Sequence, residues 1–524
     1  MGNFSIGLDM TDSVTDTIQT LVQRHAQAQA AAPLLIAPET QAVLHYGELA
    51  HETERFGRWA TAYGLAPGDR IAMLLPNGMQ AGLIFLAAMA SGYVIVPLNL
   101  LATPSQLRHC VRHSGARIVF SCRDLSDSLR QALEELAAFV PQIIEVDPDE
   151  SHFAMDGPAT GHMPSPAPDQ NALLMYTSGT TGTPKGVPLT HANLLHGARA
   201  VAAWHDLQPS DRVLSALPLY HINGQVIATL TPFVSGGSIV APRRFSASRW
   251  WEIVDTHRCT WLNMVPTIIA YLLNAEPNAA DASHSSVRFG RSASAPLPVE
   301  HHQAFERRFG IPIIEAMGMT ETASVIFCNP QDPAGHRYGS PGLPCGVEVY
   351  IAGPDGERLA DGQIGELVLR GPNVMAGYFD NPEENAKAFN AEGWLRTGDL
   401  GYRDTEGYYV ITGRIKELII KGGENIAPRE IDEALLGHAA VLEAAAVGLP
   451  DADYGQEIYA AVMLKPGAEV GVEELLAYCK ETLGRYKCPR DIRIVTELPK
   501  GPSGKVQRLK LVELWAPAAA PGTR

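Results

Sequence analysis

The sequence predicts an α/β protein, with a large N-terminal domain of mixed, largely parallel sheets flanked by helices and a small α+β C-terminal domain. Three observations predict it. Short β-rich runs alternate with amphipathic helical stretches along most of the chain. A Ser/Thr/Gly-rich loop is bracketed by apolar runs, as a turn between two strands would be. After Arg414 a compact unit of about 110 residues carries helical and strand-like runs of its own, enough for a small domain. The expected division is therefore 1–413 and 414–524.

The elements follow in order. No residue between Arg70 and Arg108 is charged, a length that could suggest a membrane span. Pro76-Asn77-Gly78, Ser91-Gly92 and Pro97 instead divide it into a strand at 71–75, a helix at 80–90 and a strand at 93–96. That pattern is a buried βαβ unit. Further strands are predicted at 116–121, 212–216, 238–241 and 260–265, and helices at 192–204, 246–257 and 298–309. Residues 151–170 are rich in Pro, Gly and His and read as a surface connection. In the C-terminal unit, helices are predicted at 429–436 and 472–483 and strands at 441–447 and 457–464. The Ala/Pro-rich tail 516–524 reads as frayed, and no internal repeat is present.

Apolar residues make up 46% of the chain and charged residues 19%, the composition of a soluble globular enzyme. The net charge of −16 disfavours nucleic acid and anionic membranes as partners. An anionic ligand must therefore be held by local groups. Seven cysteines, at 110, 122, 259, 328, 345, 479 and 488, are odd in number and without a CxxC pair. That suits a reducing cytoplasm and offers no cysteine zinc site. The start of the sequence lacks a basic segment followed by an apolar core, so no signal peptide is read and a cytoplasmic location is expected. Gly2 also lacks the Ser/Thr that a myristoylation motif needs.

The most informative stretch is Tyr176-Thr-Ser-Gly-Thr-Thr-Gly-Thr-Pro-Lys-Gly186, of which eight residues are Thr, Ser or Gly. Such a loop leaves backbone N–H groups and hydroxyls free to surround phosphate oxygens, with Lys185 supplying charge. It is not a Walker A loop, because Pro184 stands where the second glycine should be. Further motifs follow in a fixed order: Pro218-Leu219-Tyr220-His221, Ser292-Ala293-Ser294-Ala295-Pro296-Leu297, and Gly318-Met319-Thr320-Glu321-Thr322. After these come Gly365-Glu366-Leu367, Arg396-Thr397-Gly398-Asp399, Gly413-Arg414-Ile415-Lys416-Glu417, and Pro499-Lys500-Gly501-Pro502-Ser503-Gly504-Lys505.

Together these motifs resemble the adenylate-forming superfamily of acyl-CoA synthetases, peptide-synthetase adenylation domains and luciferases, from about residue 20 to 512. The resemblance implies ATP, Mg²⁺ and coenzyme A as reactants, and a two-step activation of a small-molecule carboxylic acid. The carboxylate displaces pyrophosphate at the α-phosphorus, and a thiol then displaces AMP. It implies a triphosphate cradle at Thr177, Ser178, Gly179, Thr180, Thr181, Gly182 and Lys185. Thr320 and Glu321 would meet the α-phosphate, with Glu321 as Mg²⁺ ligand. Ser294, Ala295, Pro296, Gly318 and Met319 would surround the adenine, with Met317 where an aromatic usually stacks. Asp399 would hold the ribose hydroxyls, since a carboxylate can accept two hydrogen bonds. Arg414 would make a second ribose or phosphate contact.

By the same resemblance Lys505 is the catalytic lysine of a mobile small domain, turning about Lys416. After rotation, Lys421, Gly422, Gly423 and Glu424 would replace it and shape the thiol channel. His221, also implied as catalytic, would stand between acyl pocket and channel, beside Asn223, Gly224, Asn263, Arg288, Arg291, Ser292 and Ser294. Arg291-Ser-Ala-Ser-Ala295 looks most like the oxalate-CoA ligase branch, but Asn223 stands where that branch carries His. This points to a short acid with a second anionic group, a dicarboxylate or a sulfonate. A medium-chain or aryl acid is the alternative. No Asp lies between Arg212 and Glu252 to hold an α-amine, which disfavours amino acids. A free thiol is favoured as acceptor, a separate carrier protein stays open, and a homodimer is compatible.

Overall fold

The computed structural model describes residues 15–136, 141–153, 155, 163–177, 183–276, 284, 286–500 and 506–515. Among these residues the strands form four sheets, of nine, six, four and five strands. The six-stranded sheet contains the charge-free segment. Arg70–Leu74 and Val94–Pro97 pair in parallel, joined by the helix Met79–Ala90, all of whose residues are buried. A helix that is apolar all round belongs in a core between layers, which is why no charge interrupts it. No helix among the described residues is long and apolar enough to cross a membrane.

The nine-stranded sheet builds one wall of the later cleft. Its central strands Ser238–Val240, Arg212–Leu214, Trp261–Met264, Phe289–Ser292 and Ile313–Met317 run parallel. The helices His191–Trp204, Ala247–His257 and Val299–Phe309 all begin within a residue of the expected positions. Local chemistry explains the first: Thr190 caps its helix, accepting from Asn193 N–H, and Asn193 bonds back.

Two features differ from expectation. A four-stranded antiparallel sheet, Glu348–Ala352, Gly365–Arg370, Leu395–Arg403 and Tyr409–Arg414, occupies a region where no strands are predicted. Its long strand Leu395–Arg403 is buried only at intervals, so it carries none of the continuous apolar runs that mark parallel strands. The second difference is length. The hairpin Val441–Asp451 and Gly455–Leu464 and the helix Val472–Lys487 outrun their predicted ends, the helix past a non-helical Gly484.

The last sheet has its own core of Ile419, Ile431, Leu435, Ile458, Val462, Leu475 and Ile492. The large core includes an aromatic cluster, in which Phe56 lies 4.9 Å from Phe153, 5.7 Å from Trp59 and 6.1 Å from Phe120. Phe56 is fully buried, so Phe56→Ala is expected to lower stability by about 3–5 kcal/mol. Urea unfolding followed by tryptophan fluorescence checks this, and an unchanged midpoint would contradict it.

Candidate active site

A cavity of about 300 Å³ opens where the nine-stranded sheet, the four-stranded sheet and the last sheet meet. Loops at the carboxyl ends of parallel strands are the usual place for such a crevice. Ser294 to Leu297, after the strand Phe289–Ser292, form one side, and Ala316 to Gly318, ending Ile313–Met317, form the next. Asp399 and Arg414 supply a third, and Arg429, Asp432, Glu443, Lys500, Val506 and Arg508 close it from the C-terminal unit.

Backbone strain gathers at these loops. Ser294, Ala323 and Ser324 hold left-handed φ of 76°, 46° and 74°. Such outliers persist only where the surroundings over-determine them. At Gly318 a Cβ would stand 2.0 Å from the Ser324 carbonyl, so the turn into Thr320–Thr322 admits only glycine.

Two sequence motifs prove to be one device. Glu366 binds Arg396 at 2.7 Å and accepts from the Gly398 N–H at 3.0 Å. Thr397 Oγ1 donates to the Leu367 carbonyl at 2.8 Å and accepts from Asp399 N–H at 3.0 Å. The Gly-Glu-Leu strand therefore holds the Arg-Thr-Gly-Asp turn so that Asp399 faces the cleft. Asp399 is buried, opposite Arg414 in the ladder, and its Oδ1 is 2.6 Å from Arg414 Nε. That carboxylate keeps the guanidinium charged.

The phosphate-loop hairpin is Asn171–Thr177 paired with Lys185–Thr190, and Ser178 to Gly182 lie outside the described residues. Lys185 Nζ is 3.2 Å from Glu384 and 4.1 Å above the Tyr378 ring. The Tyr378 hydroxyl donates to Glu321 at 2.9 Å, so the loop's cation and Glu321 share one aromatic partner. Burial, then the Glu321 charge, pushes the Tyr378 phenol well up, so it stays a donor. Sequence reading missed Tyr378 and Glu384, which become neighbours of the loop only through folding, and quoted Glu366 within its motif without a role. Glu321 is buried. A fixed carboxylate beside a phosphate-type loop is the hard oxygen donor that Mg²⁺ takes.

His221 leads into Asn223–Leu230, a π-helix, a geometry that often marks functional sites. At Gly224 a Cβ would stand 2.3 Å from the Pro218 carbonyl. Asn263 Nδ2 donates to Asn223 Oδ1 at 3.0 Å, and Asn223 Nδ2 donates to Ser294 Oγ at 3.1 Å. Arg291, beside Asn263 in the ladder, is fully buried, and its guanidinium has no hydrogen-bond partner among the described residues. The Ser292 hydroxyl is likewise buried and unpartnered among them.

The structure does not bring Arg288 to this group. It binds Asp211 through two bonds of 3.2 and 2.8 Å. Lys416 lies in the turn Ile415–Glu417. Lys421 pairs with Glu457 at 2.5 Å, and Gly422, Gly423 and Glu424 are exposed outside the cleft lining. Lys505 lies outside the described residues, while Lys500 and Val506 on either side pair with each other and line the cleft. Arg508 anchors that end, bonding Asp432 at 2.6 and 3.1 Å and the Ala446 carbonyl at 2.7 Å.

A family model described as AMP-binding enzyme matches residues 22–379, and one described as AMP-binding enzyme C-terminal domain matches 430–505. The chain is 52% identical over 501 residues to a sulfoacetate–CoA ligase of Cupriavidus necator, covering 95% of this chain and 98% of that protein. It is 36% identical over 458 residues to an oxalate–CoA ligase of Arabidopsis thaliana, covering 85% and 88%. ATP-bound MatB from Rhodopseudomonas palustris superposes with a TM-score of 0.86 at 29% identity, covering 95% of this chain and 99% of that one. MenE, the o-succinylbenzoate CoA synthetase of Bacillus subtilis solved with ATP and magnesium, gives 0.81 at 30%, covering 94% and 99%.

Glu315 lines the same cleft, and burial raises its carboxyl to about 7 although Leu297 N–H donates to it at 3.1 Å. The folded chain therefore keeps this proton between the ordinary value of 4.5 and about 7 while the unfolded chain loses it. Stability must fall as pH rises through that window, by roughly 3 kcal/mol in all. Glu315→Gln is expected to flatten that part of the stability profile. Urea midpoints measured across the window check it, and an identical slope in the variant would contradict the assignment.

Proposed function

The chain belongs to the AMP-binding enzyme family and is an AMP-forming acid–CoA ligase working with ATP, Mg²⁺ and coenzyme A; from that premise we propose that its acid is a short carboxylate bearing a second anionic group, of the sulfoacetate type. One observation carries this reading: the buried amides of Asn263 and Asn223 form a polar chain that ends at the exposed Ser294 hydroxyl, and beside it lies buried Arg291, without a hydrogen-bond partner among the described residues. A long apolar acyl chain laid against it would strand those polar groups, at about 1–3 kcal/mol each. A sulfonate offers several acceptor oxygens and a counter-charge. The 52% identical relative bears the name of a sulfoacetate ligase, which supports the same choice.

The carboxylate oxygen attacks the α-phosphorus and the bond to pyrophosphate breaks, giving acyl-AMP. The sulfur of coenzyme A then attacks the acyl carbon, its proton leaves, and AMP departs. In this scheme Ser294, Ala295, Pro296, Met317, Gly318 and Met319 enclose the adenine, and Asp399 and Arg414 orient the ribose. Thr177 to Lys185 hold the outer phosphates, and Thr320 and Glu321 face the reacting phosphate. Glu321 would hold Mg²⁺, which would supply positive charge to the phosphate oxygens. Lys505 places a second cation where charge builds in the transition state, an effect concentrated on rate rather than binding.

The unit beginning at Arg414 turns about Lys416 between the two steps, exchanging Lys505 for Lys421 to Glu424. The cleft-facing positions of Lys500 and Val506 and the exposure of Gly422 and Gly423 favour the first-step arrangement.

Pyrophosphate release over a panel of sulfoacetate, malonate, oxalate, acetate and hexanoate, with coenzyme A, tests the reading. Sulfoacetate is expected to exceed acetate and hexanoate in kcat/KM by about tenfold or more, the worth of about 1.4 kcal/mol. Equal or better turnover of the singly charged acids would refute it. Lys505→Ala is expected to lower adenylation by roughly two orders of magnitude with little change in KM for ATP, a transition-state loss. Undiminished pyrophosphate release would remove the role given to that lysine.

A further inference from the structure

Away from the cleft, three donors converge on one point. His302 and Glu306 lie one turn apart on the helix Val299–Phe309 and so share a face. His336 follows the short turn Pro333–Gly335. His302 Nε2 stands 3.3 Å from Glu306 Oε1 and His336 Nδ1 stands 3.9 Å from it, all three donors lying within 4.8 Å of one another. In a tetrahedral site with metal–ligand bonds near 2.0–2.1 Å, donor atoms stand roughly 3.3 Å apart. Small side-chain shifts would close the difference.

The surroundings are those of a metal site's outer shell. His336 Nε2 is 2.9 Å from the Pro330 carbonyl, the Tyr338 hydroxyl donates to Glu306 Oε2 at 2.6 Å, and Ile313 N–H donates to Glu306 Oε1 at 2.9 Å. A ring N–H bound to a backbone carbonyl is how ligating imidazoles are oriented. His336 Nδ1 then faces the Glu306 carboxylate, an approach that a proton on the ring or a cation between the two groups would each satisfy.

We propose that His302, Glu306 and His336 bind a divalent transition cation of the zinc class, separate from the Mg²⁺ that accompanies ATP. Two imidazoles and one carboxylate suit Zn²⁺ or Co²⁺, whereas Mg²⁺ selects oxygen donors. Water would fill the open position. The affinity is micromolar rather than that of a dedicated structural zinc, for two reasons. His302 Nε2 also lies 2.9 Å from the Ile313 carbonyl, a bond that the cation must displace. Its remaining proton then sits on Nδ1, which is buried without a partner among the described residues.

The cation would tie the helix Val299–Phe309 to the segment reaching Pro341. The adjacent His301 and Pro341 both line the nucleotide cleft, so loading stiffens the wall around Ser294 to Pro298. The ligands lie outside the residues assigned to catalysis, and the site therefore acts on stability rather than on the chemical step.

The test uses full-length protein stripped with a chelator, restored to Mg²⁺, and titrated with Zn²⁺ by calorimetry and with Co²⁺ by absorption. The expected result is one equivalent bound with micromolar Kd and a rise of several degrees in Tm. The Co²⁺ spectrum should lack thiolate charge-transfer bands, which excludes capture by cysteine. His336→Gln and Glu306→Gln should each weaken binding at least tenfold while acyl-CoA formation without zinc stays unchanged. If either variant does not fold, anomalous scattering at the zinc edge in wild-type crystals locates the cation directly, with the peak expected between His302, Glu306 and His336. No binding, thiolate bands, equal affinity in folded variants, or an anomalous peak elsewhere would each overturn the proposal.

Discussion

The ion pair between buried Asp399 and half-buried Arg414 is the constraint around which the molecule is arranged. A carboxylate taken out of water must be compensated by charge and hydrogen bonds, or it costs several kcal/mol. Here compensation comes from register: two antiparallel strands place Arg414 directly opposite Asp399. The turn Ile415–Glu417 begins at the next residue, so the same strand that neutralises the cleft's acid also launches the C-terminal unit. The Glu366 network then prevents the Asp399 turn from relaxing away.

A second balance governs the cations. Lys185 is shared between Glu384 and the face of Tyr378, whose hydroxyl holds Glu321. The partners satisfy each group without burying an unpaired charge, and the Lys185 ammonium, with three donors, keeps hydrogen-bonding capacity beyond Glu384. With a net charge of −16 the chain cannot attract a polyphosphate by its overall field, and in the function proposed above local cations such as Lys185 take that task. Arg291 breaks this pattern, being buried and unpartnered among the described residues. After the hydrogen bond from Cys345, its charge helps hold the buried Cys328 thiol below its ordinary value.

The βαβ unit was legible because glycine and proline punctuate an otherwise continuous apolar run, and helix starts followed from local capping as at Thr190. The order of motifs carried the family, which the matches to residues 22–379 and 430–505 bear out. The four-stranded sheet escaped because half-exposed antiparallel strands lack that continuous signal. Arg288 and Arg291 illustrate the same limit at the level of one side chain. Three positions apart in sequence, one is satisfied by Asp211 and the other is enclosed with no carboxylate partner among the described residues.

What the linear order of residues determined was chemistry that is local in the chain: a hydroxyl-rich loop, an acidic turn, glycines where no Cβ fits. Only folding decided which of these meet. Glu366 reaches across 32 positions to Gly398, and Tyr378 across 57 to Glu321. The convergence of His302 and Glu306 with His336 has the same origin. Periodicity reports which face of an element is apolar, but the register between elements sets which polar groups share a point in space.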